Sequence, residues 1–145
     1  MSIHTVEKAL SHLNVSNDEL LTIARKAARR AYCPYSRFAV GAAVLASDGH
    51  IYEGCNIENG SYGLSICAER VAIFSAVAAG NTTISRIAVS CISGNLALPN
   101  TLMPCGACRQ VMKEFFDANS TVIVDRAGVY TLDDLLPHGF SLDGL

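Results

Sequence analysis

Apolar and polar positions along the chain change their period several times, and each change predicts an element. Residues 16 to 31, SNDELLTIARKAARRA, set Leu20, Ile23, Ala24, Ala27 and Ala31 at helical spacing, behind Ser16 and Glu19 in the arrangement of a capping box. That predicts a first helix. FAVGAAVLAS, the turn SDGH and IYEGCN then read as a β-hairpin, because Asp48-Gly49 supplies the positive φ of a tight turn. CAERVAIFSAVAAG is apolar on nearly all sides and closes on Gly80, which predicts a helix buried between layers with a glycine C-cap. ISRIAVSCIS reads as a central strand. After the loop GNLALPNTLMP, the stretch CGACRQVMKEFFDAN predicts a third helix from just after Pro104 to near Asn119. TVIVDRAGVYT reads as two short strands joined at Asp125 to Gly128, and TLDDLLP as a small helix from Thr131.

The order helix, hairpin, helix, strand, helix, hairpin, short helix predicts an α/β fold: a five-stranded mixed sheet in a three-layer α/β/α sandwich. No repeat or linker divides the chain, so residues 1–15 read as an N-terminal arm and residues 16–145 as one domain.

With 145 residues, half of them apolar, the chain can bury a core unaided. Its net charge of -2 gives no general attraction to nucleic acid or to an anionic membrane. The basic cluster Arg25, Lys26, Arg29 and Arg30 sits at a helix C-terminus, where cations are favoured in any case. A small molecule is the expected ligand. The start MSIHTVEKALSHLNV lacks the pattern of a signal or transit peptide. The apolar stretch Val71 to Ala79 is too short for the ~20 residues that span a bilayer. The expectation is a soluble, cytoplasmic protein with no membrane or nucleic-acid partner, whose six cysteines are metal ligands and reduced thiols.

Three of those cysteines define the candidate chemistry. Cys67 opens the second predicted helix, and Cys105 and Cys108 open the third, where unpaired N–H groups favour thiolate. Cys105 and Cys108, at i and i+3, share one helix face and can reach one ion; Cys67 must join them from another element. Three thiolates leave one position of a zinc tetrahedron open, as a catalytic site requires. A closed structural site would need Cys33, Cys55 or Cys91 as a fourth ligand, yet these lie in or beside apolar strand-like segments that suit buried free thiols. Glu69, two residues after Cys67, is poorly placed to ligate with it but well placed to exchange protons with a metal-bound water. Arg70 is the candidate to donate to the cysteine sulfurs and offset the excess negative charge. His4, His12, His50 and His138 have no ligand spacing to one another.

CAE followed by PCGAC resembles the zinc nucleoside deaminases, in the variant with three cysteine ligands. AYCPYSRFAVGAAV, GCNIENGSYGLSICAER, PCGACRQVM and LLPHGF are similar in order and spacing to the small homotetrameric cytidine deaminases, over about residues 17 to 142. The resemblance implies one zinc per subunit on Cys67, Cys105 and Cys108. It implies hydrolytic deamination of cytidine and 2′-deoxycytidine in pyrimidine salvage: zinc-activated water adds to C4, while Glu69 carries its proton to N3 and then to the leaving amine. It also implies Asn56 and Glu58 on the ribose 3′-hydroxyl, Phe38 against the base and the Ala68 N–H on the ring carbonyl. Gly60 and Tyr62 would reach a neighbouring subunit's site near the 5′-hydroxyl, and Phe140 would stack on a base across an interface. Met103 stands where the family often has a small hydroxyl residue, and SYGLS replaces a common CYPLG. A modified cytosine nucleoside such as blasticidin S is the alternative substrate, which NIEN followed by SYGLS fits less well.

Overall fold

The computed structural model describes residues 14–142. The expected arm, with His4 and His12, lies almost wholly outside the described residues. The elements are α1 (Asn17–Ala28), β1 (Val40–Ala46), β2 (Ile51–Cys55), α2 (Ala68–Ala78), β3 (Ile84–Cys91), α3 (Gly106–Phe115), β4 (Phe116–Val124), β5 (Gly128–Thr131) and α4 (Leu132–Leu135). Short 3₁₀ turns occupy Tyr62–Leu64 and Pro99–Leu102.

The strands form one sheet in the order β2-β1-β3-β4-β5. β1 is antiparallel to β2 and β3, β3 is parallel to β4, and β5 is antiparallel to β4. β2, β3 and β4 therefore all point the same way, with α2 and α3 as the crossovers between them. A crossover helix leaves from the carboxyl end of one strand to reach the amino end of the next, so α2 and α3 both begin at the same edge of the sheet.

Period-two alternation assigns the faces. Ala43, Leu45, Ala88 and Ile123 pack with Leu20 and Ala24 of α1 on one side. Ala42, Val44, Ile87, Val89 and Val122 pack with Ala72, Ile73, Ala76 and Met112 of α2 and α3 on the other. The result is the expected three-layer sandwich. At the start of α1 the Ser16 hydroxyl accepts from the Glu19 N–H (3.1 Å) and the Glu19 carboxylate from the Ser16 N–H (2.7 Å). Two glycines let the helices approach the sheet backbone. A Cβ on Gly41 would lie 2.0 Å from the Ala24 carbonyl oxygen, and one on Gly54 would lie 2.4 Å from both the Ala68 carbonyl oxygen and the Ala72 nitrogen. The layers are tied where Asp125, at the carboxyl end of β4, accepts two hydrogen bonds from Arg25 (2.8 and 2.6 Å) and one from Ser90 (2.8 Å).

Two expectations change. α2 is not enclosed on all sides: Ala72, Ile73 and Ala76 are fully buried, but Phe74 is 47% exposed, because a single chain supplies no layer beyond α2. The third helix stops at Phe115 and does not run on to Asn119. Phe116 is extended (φ -94°, ψ 145°) and pairs with Ile84, so sheet pairing overrides the helical spacing of the Phe115-Phe116 pair. A register irregularity follows before β4 resumes at Thr121 opposite Arg86.

Candidate active site

Cys67 is the N-cap of α2 and Cys105 the N-cap of α3, and neither side chain caps its own helix. Both sulfurs are thus free to turn toward each other at the shared sheet edge. Cys67 Sγ lies 3.8 Å from Cys105 Sγ, Cys105 Sγ lies 3.4 Å from Cys108 Sγ, and all three fall within 4.8 Å of one another. Tetrahedral zinc with bonds of about 2.3 Å separates its sulfurs by about 3.8 Å, so this donor set fits a zinc ion. The other three cysteines are occupied elsewhere or apart: Cys55 faces the Arg30 carbonyl, Cys91 the Leu102 carbonyl, and Cys33 is a free thiol.

Charge around the thiols points the same way. Arg70 Nη2 donates to Cys67 Sγ (3.3 Å), while its buried Nε has no partner among the described residues. A guanidinium held in this way suits a centre where three thiolates outweigh a divalent cation. A hydrogen bond from Cys108, supported by Arg70, lowers the Cys67 thiol to about 5 against the opposing effect of burial. The same bond to Cys67, together with burial, pushes the Cys108 thiol up.

Glu69, the second residue of α2, is 4% exposed. Burial raises its carboxyl to about 7, with the neighbouring Cys67 charge adding to the rise. A carboxyl that can hold or release a proton near neutrality is equipped for proton transfer.

Glu69 lies at the wall of a cleft of about 170 Å³ that Phe38, Asn56, Cys67, Ala68 and Cys105 also line. Asn56 braces the opposite side: its Oδ1 accepts from the Val40 N–H (2.9 Å) and its Nδ2 donates to the Phe38 carbonyl (2.8 Å). Phe38 follows Arg37, whose φ of 57° puts a non-glycine residue in the left-handed region. The Phe38 N–H is in turn bonded to the Ser36 hydroxyl (3.0 Å). A strained residue between fixed neighbours thus aims the aromatic ring.

Other candidates fall outside this cleft. Glu58 and Tyr62 line an adjoining hollow of about 310 Å³ with Tyr35, Ser36 and Ser65. The Glu58 carboxylate accepts from the Tyr35 N–H (2.9 Å), from the Ser36 N–H (3.3 Å) and from the Ser36 hydroxyl. Gly60 sits against the Tyr35 hydroxyl. Phe140, 68% exposed, stands beside α3 with its main chain bonded to Gln110. Sequence reasoning missed Thr101 and Val40, placed Met103 at the site only as a departure from the family's small hydroxyl residue, and weighed Cys91 only as a fourth ligand of a closed metal site; all four line the cleft. Proximity held the signal for two of them, because residues two and four positions before Cys105 must flank whatever Cys105 binds. The apolar loop before Pro104 is also partly core, since Leu102 is 2% exposed.

Parallel strands that bring two helix starts and their thiols to one cleft define a class of metal-dependent enzyme sites, and comparison with known proteins identifies the class. The zinc-binding region of cytidine and deoxycytidylate deaminases matches residues 15–124, and this chain belongs to that family. A cytidine deaminase of Mycobacterium tuberculosis is 45% identical over 123 residues, covering 84% of this chain and 87% of that protein. One from Sporosarcina psychrophila is 42% identical over 132 residues, covering 88% and 93%. Among solved structures, the M. tuberculosis cytidine deaminase superposes with a TM-score of 0.76 at 39% identity, over 89% of this chain and all of that one. The cytidine deaminase of Burkholderia pseudomallei gives 0.74 at 41% identity, over 87% of this chain and all of that one.

Proposed function

We propose that this chain deaminates cytidine and 2′-deoxycytidine hydrolytically, yielding uridine and 2′-deoxyuridine and serving pyrimidine salvage in the cytoplasm. The observation that carries the reading is the buried Glu69 carboxyl beside three convergent thiols at the wall of a cleft that also holds Phe38 and Asn56. Cys67, Cys105 and Cys108 would hold one zinc per subunit. When bound there, the ion lowers the pKa of a coordinated water toward ~7 and so supplies a nucleophile at neutral pH.

The chain's own groups do the rest. Glu69 would take one proton of the attacking water to N3 of the pyrimidine, and would then carry the water's second proton, left on the new C4 hydroxyl, to the departing amine, which leaves as ammonia. The Ala68 N–H, one of the unpaired donors of the first turn of α2, holds the ring carbonyl. Phe38 packs on the base, and Arg70 keeps the sulfur cluster from becoming too negative. Asn56 and Glu58 read the 3′-hydroxyl, each presented by a backbone already fixed to it. Four copies form a homotetramer in which Gly60 and Tyr62 approach a neighbour's 5′-hydroxyl and Phe140 stacks on a neighbour's base. The catalytic unit is residues 16–145, with 1–15 as an accessory arm.

The test is turnover by the purified protein, followed as loss of ultraviolet absorbance with cytidine, deoxycytidine and blasticidin S in parallel. The first two are expected to react. Inactivity on both, with zinc bound, overturns the reading, and turnover of blasticidin S alone replaces it with the modified-nucleoside activity.

A further inference from the structure

The basic cluster at the end of α1 divides once the chain is folded. Arg30 pairs with Glu53 of β2, whereas Arg25 and Arg29 line a recess of about 280 Å³ together with Ser90, Ile92, Asp125 and Arg126. This recess lies across the sheet from the cleft. Ser90 and Cys91 are consecutive on β3 and point to opposite faces, so the Ser90 hydroxyl bonds Asp125 in the recess while Cys91 lines the cleft. Three guanidiniums converge in the recess against one carboxylate. Asp125 is buried and both its oxygens are taken, Oδ1 by Arg25 Nη2 (2.6 Å) and Oδ2 by Arg25 Nε (2.8 Å) and the Ser90 hydroxyl (2.8 Å). It aims Arg25 and leaves a formal surplus of two positive charges. Arg126 is fixed separately: its Nη2 donates to the Cys91 carbonyl (2.6 Å), which also accepts from the Gly94 N–H (3.1 Å). Its φ of 62° falls at the third position of a turn closed from the Ala127 N–H to the Val124 carbonyl (3.0 Å), a place where glycine or asparagine is usual. The Arg29 side chain has no hydrogen-bond partner among the described residues. The carbonyls ending α1, which would repel an anion, are occupied: Lys26, Ala27 and Ala28 accept from the N–H groups of Arg29, Arg30 and Ala31 (3.3, 2.9 and 3.1 Å). Like charges gathered in this way repel one another, and an anion between them relieves the repulsion.

We propose that this recess binds a phosphate dianion, either free or as the monoester end of a small metabolite. The surplus of two charges matches a dianion, and tetrahedral oxygens can be met by guanidiniums from several sides, whereas a carboxylate offers one charge and two coplanar oxygens. The recess is larger than the ion, and the partly exposed Ile92 leaves an apolar wall for the organic part of an ester. A chain of net charge -2 with one such recess suits a single small ligand better than a nucleic-acid backbone, which calls for repeated basic positions. The site is separate from the deaminase reading and does not depend on it.

The test is calorimetric titration of the zinc-loaded protein with inorganic phosphate, ribose 5-phosphate, ribose and acetate, at about pH 7.5 and about 20 mM salt, where screening is weak. Phosphate is expected to bind once per chain with a Kd at or below about 1 mM. Arg29→Ala and Arg126→Ala should each weaken it at least about tenfold, while Lys26→Ala, an equal loss of charge outside the recess, should change it by less than about twofold. Without phosphate, Arg29→Ala should unfold at the wild-type temperature, because its side chain has no bonded partner to lose. Ribose 5-phosphate binding more tightly than phosphate assigns the ester, and the reverse order assigns the free ion. Failure of phosphate to bind, acetate binding as tightly as phosphate, or ribose binding as tightly as its phosphate overturns the proposal. Phosphate affinity unchanged in Arg29→Ala, as for an ion seated on the metal, overturns it too, as does equal weakening by Lys26→Ala. None of these results bears on cytidine turnover, so the deaminase reading stands or falls on its own assay.

Discussion

Glu69 and Asp125 are both buried carboxyls, and their surroundings send them in opposite directions. Glu69 is desolvated beside a thiolate, so its proton affinity rises to about 7. Glu69→Gln keeps the shape of the side chain and removes the proton carrier. Turnover should fall by roughly 10²- to 10⁴-fold with the metal content unchanged, as measured by steady-state kinetics beside elemental analysis. Asp125 receives hydrogen bonds from Arg25 and then Ser90, which hold its carboxyl below the usual range. A depressed folded-state pKa gives stability that is present above the unfolded value near ~3.9 and is lost as pH falls through the folded value. Asp125→Asn should therefore be less stable at pH 7. The difference should be on the order of 1–2 kcal/mol, a modest figure because Arg25 is 49% exposed, and it should shrink progressively in acid unfolding curves below about pH 4.

At the scale of elements, the chain's periodicities announce the helices and strands wherever local pattern and tertiary packing agree. The Ser16 capping box, the Asp48-Gly49 turn and the alternation in β1 are of this kind, and Gly49 indeed takes a φ of 90°. The end of α3 was hidden because the extension of Phe116 depends on a partner strand, Ile84 of β3, more than thirty residues away in the chain. Convergence of the two cysteine pieces follows from helix starts at one sheet edge, so CAE and PCGAC were legible as a cluster. The rim was less legible. Thr101 and Val40 carry no distinctive chemistry, and their place in the cleft comes from the path of the loop and the strand. The exposed side of α2 was concealed in the same way, since an apolar helix reads alike whether a second chain or its own covers it. Gly54 marks where an element's position governs the chemistry. In Gly54→Ala the new methyl meets the first turns of α2, destabilising the fold by about 1–3 kcal/mol and moving the Ala68 backbone. Urea unfolding should show the first effect, and kcat/KM for cytidine a fall beyond what the unfolded fraction explains.

For the whole molecule, metal and fold should be coupled, because the three thiols come from two different helices that the ion would fasten together. Stripping zinc with a chelator should lower Tm by roughly 10 °C, and adding zinc back should restore both Tm and turnover. Light scattering should give about four times the 15.4 kDa of one chain, since Phe74, Tyr62 and Leu64 leave apolar surface that assembly would cover.

The common direction of β2, β3 and β4 has a consequence for how this chain can be altered. Everything that touches the cleft is gathered at the strands' carboxyl ends. The turn from Ser47 to His50 and the link from Gly80 to Thr83 lie at the opposite ends. Those two connections are where a peptide tag or a fused domain can be spliced in with the chemistry undisturbed, whereas an insertion of the same length between 57 and 66 or between 93 and 104 would fall across the mouth of the cleft. The molecule thus has one end fixed by its reaction and another left open to change.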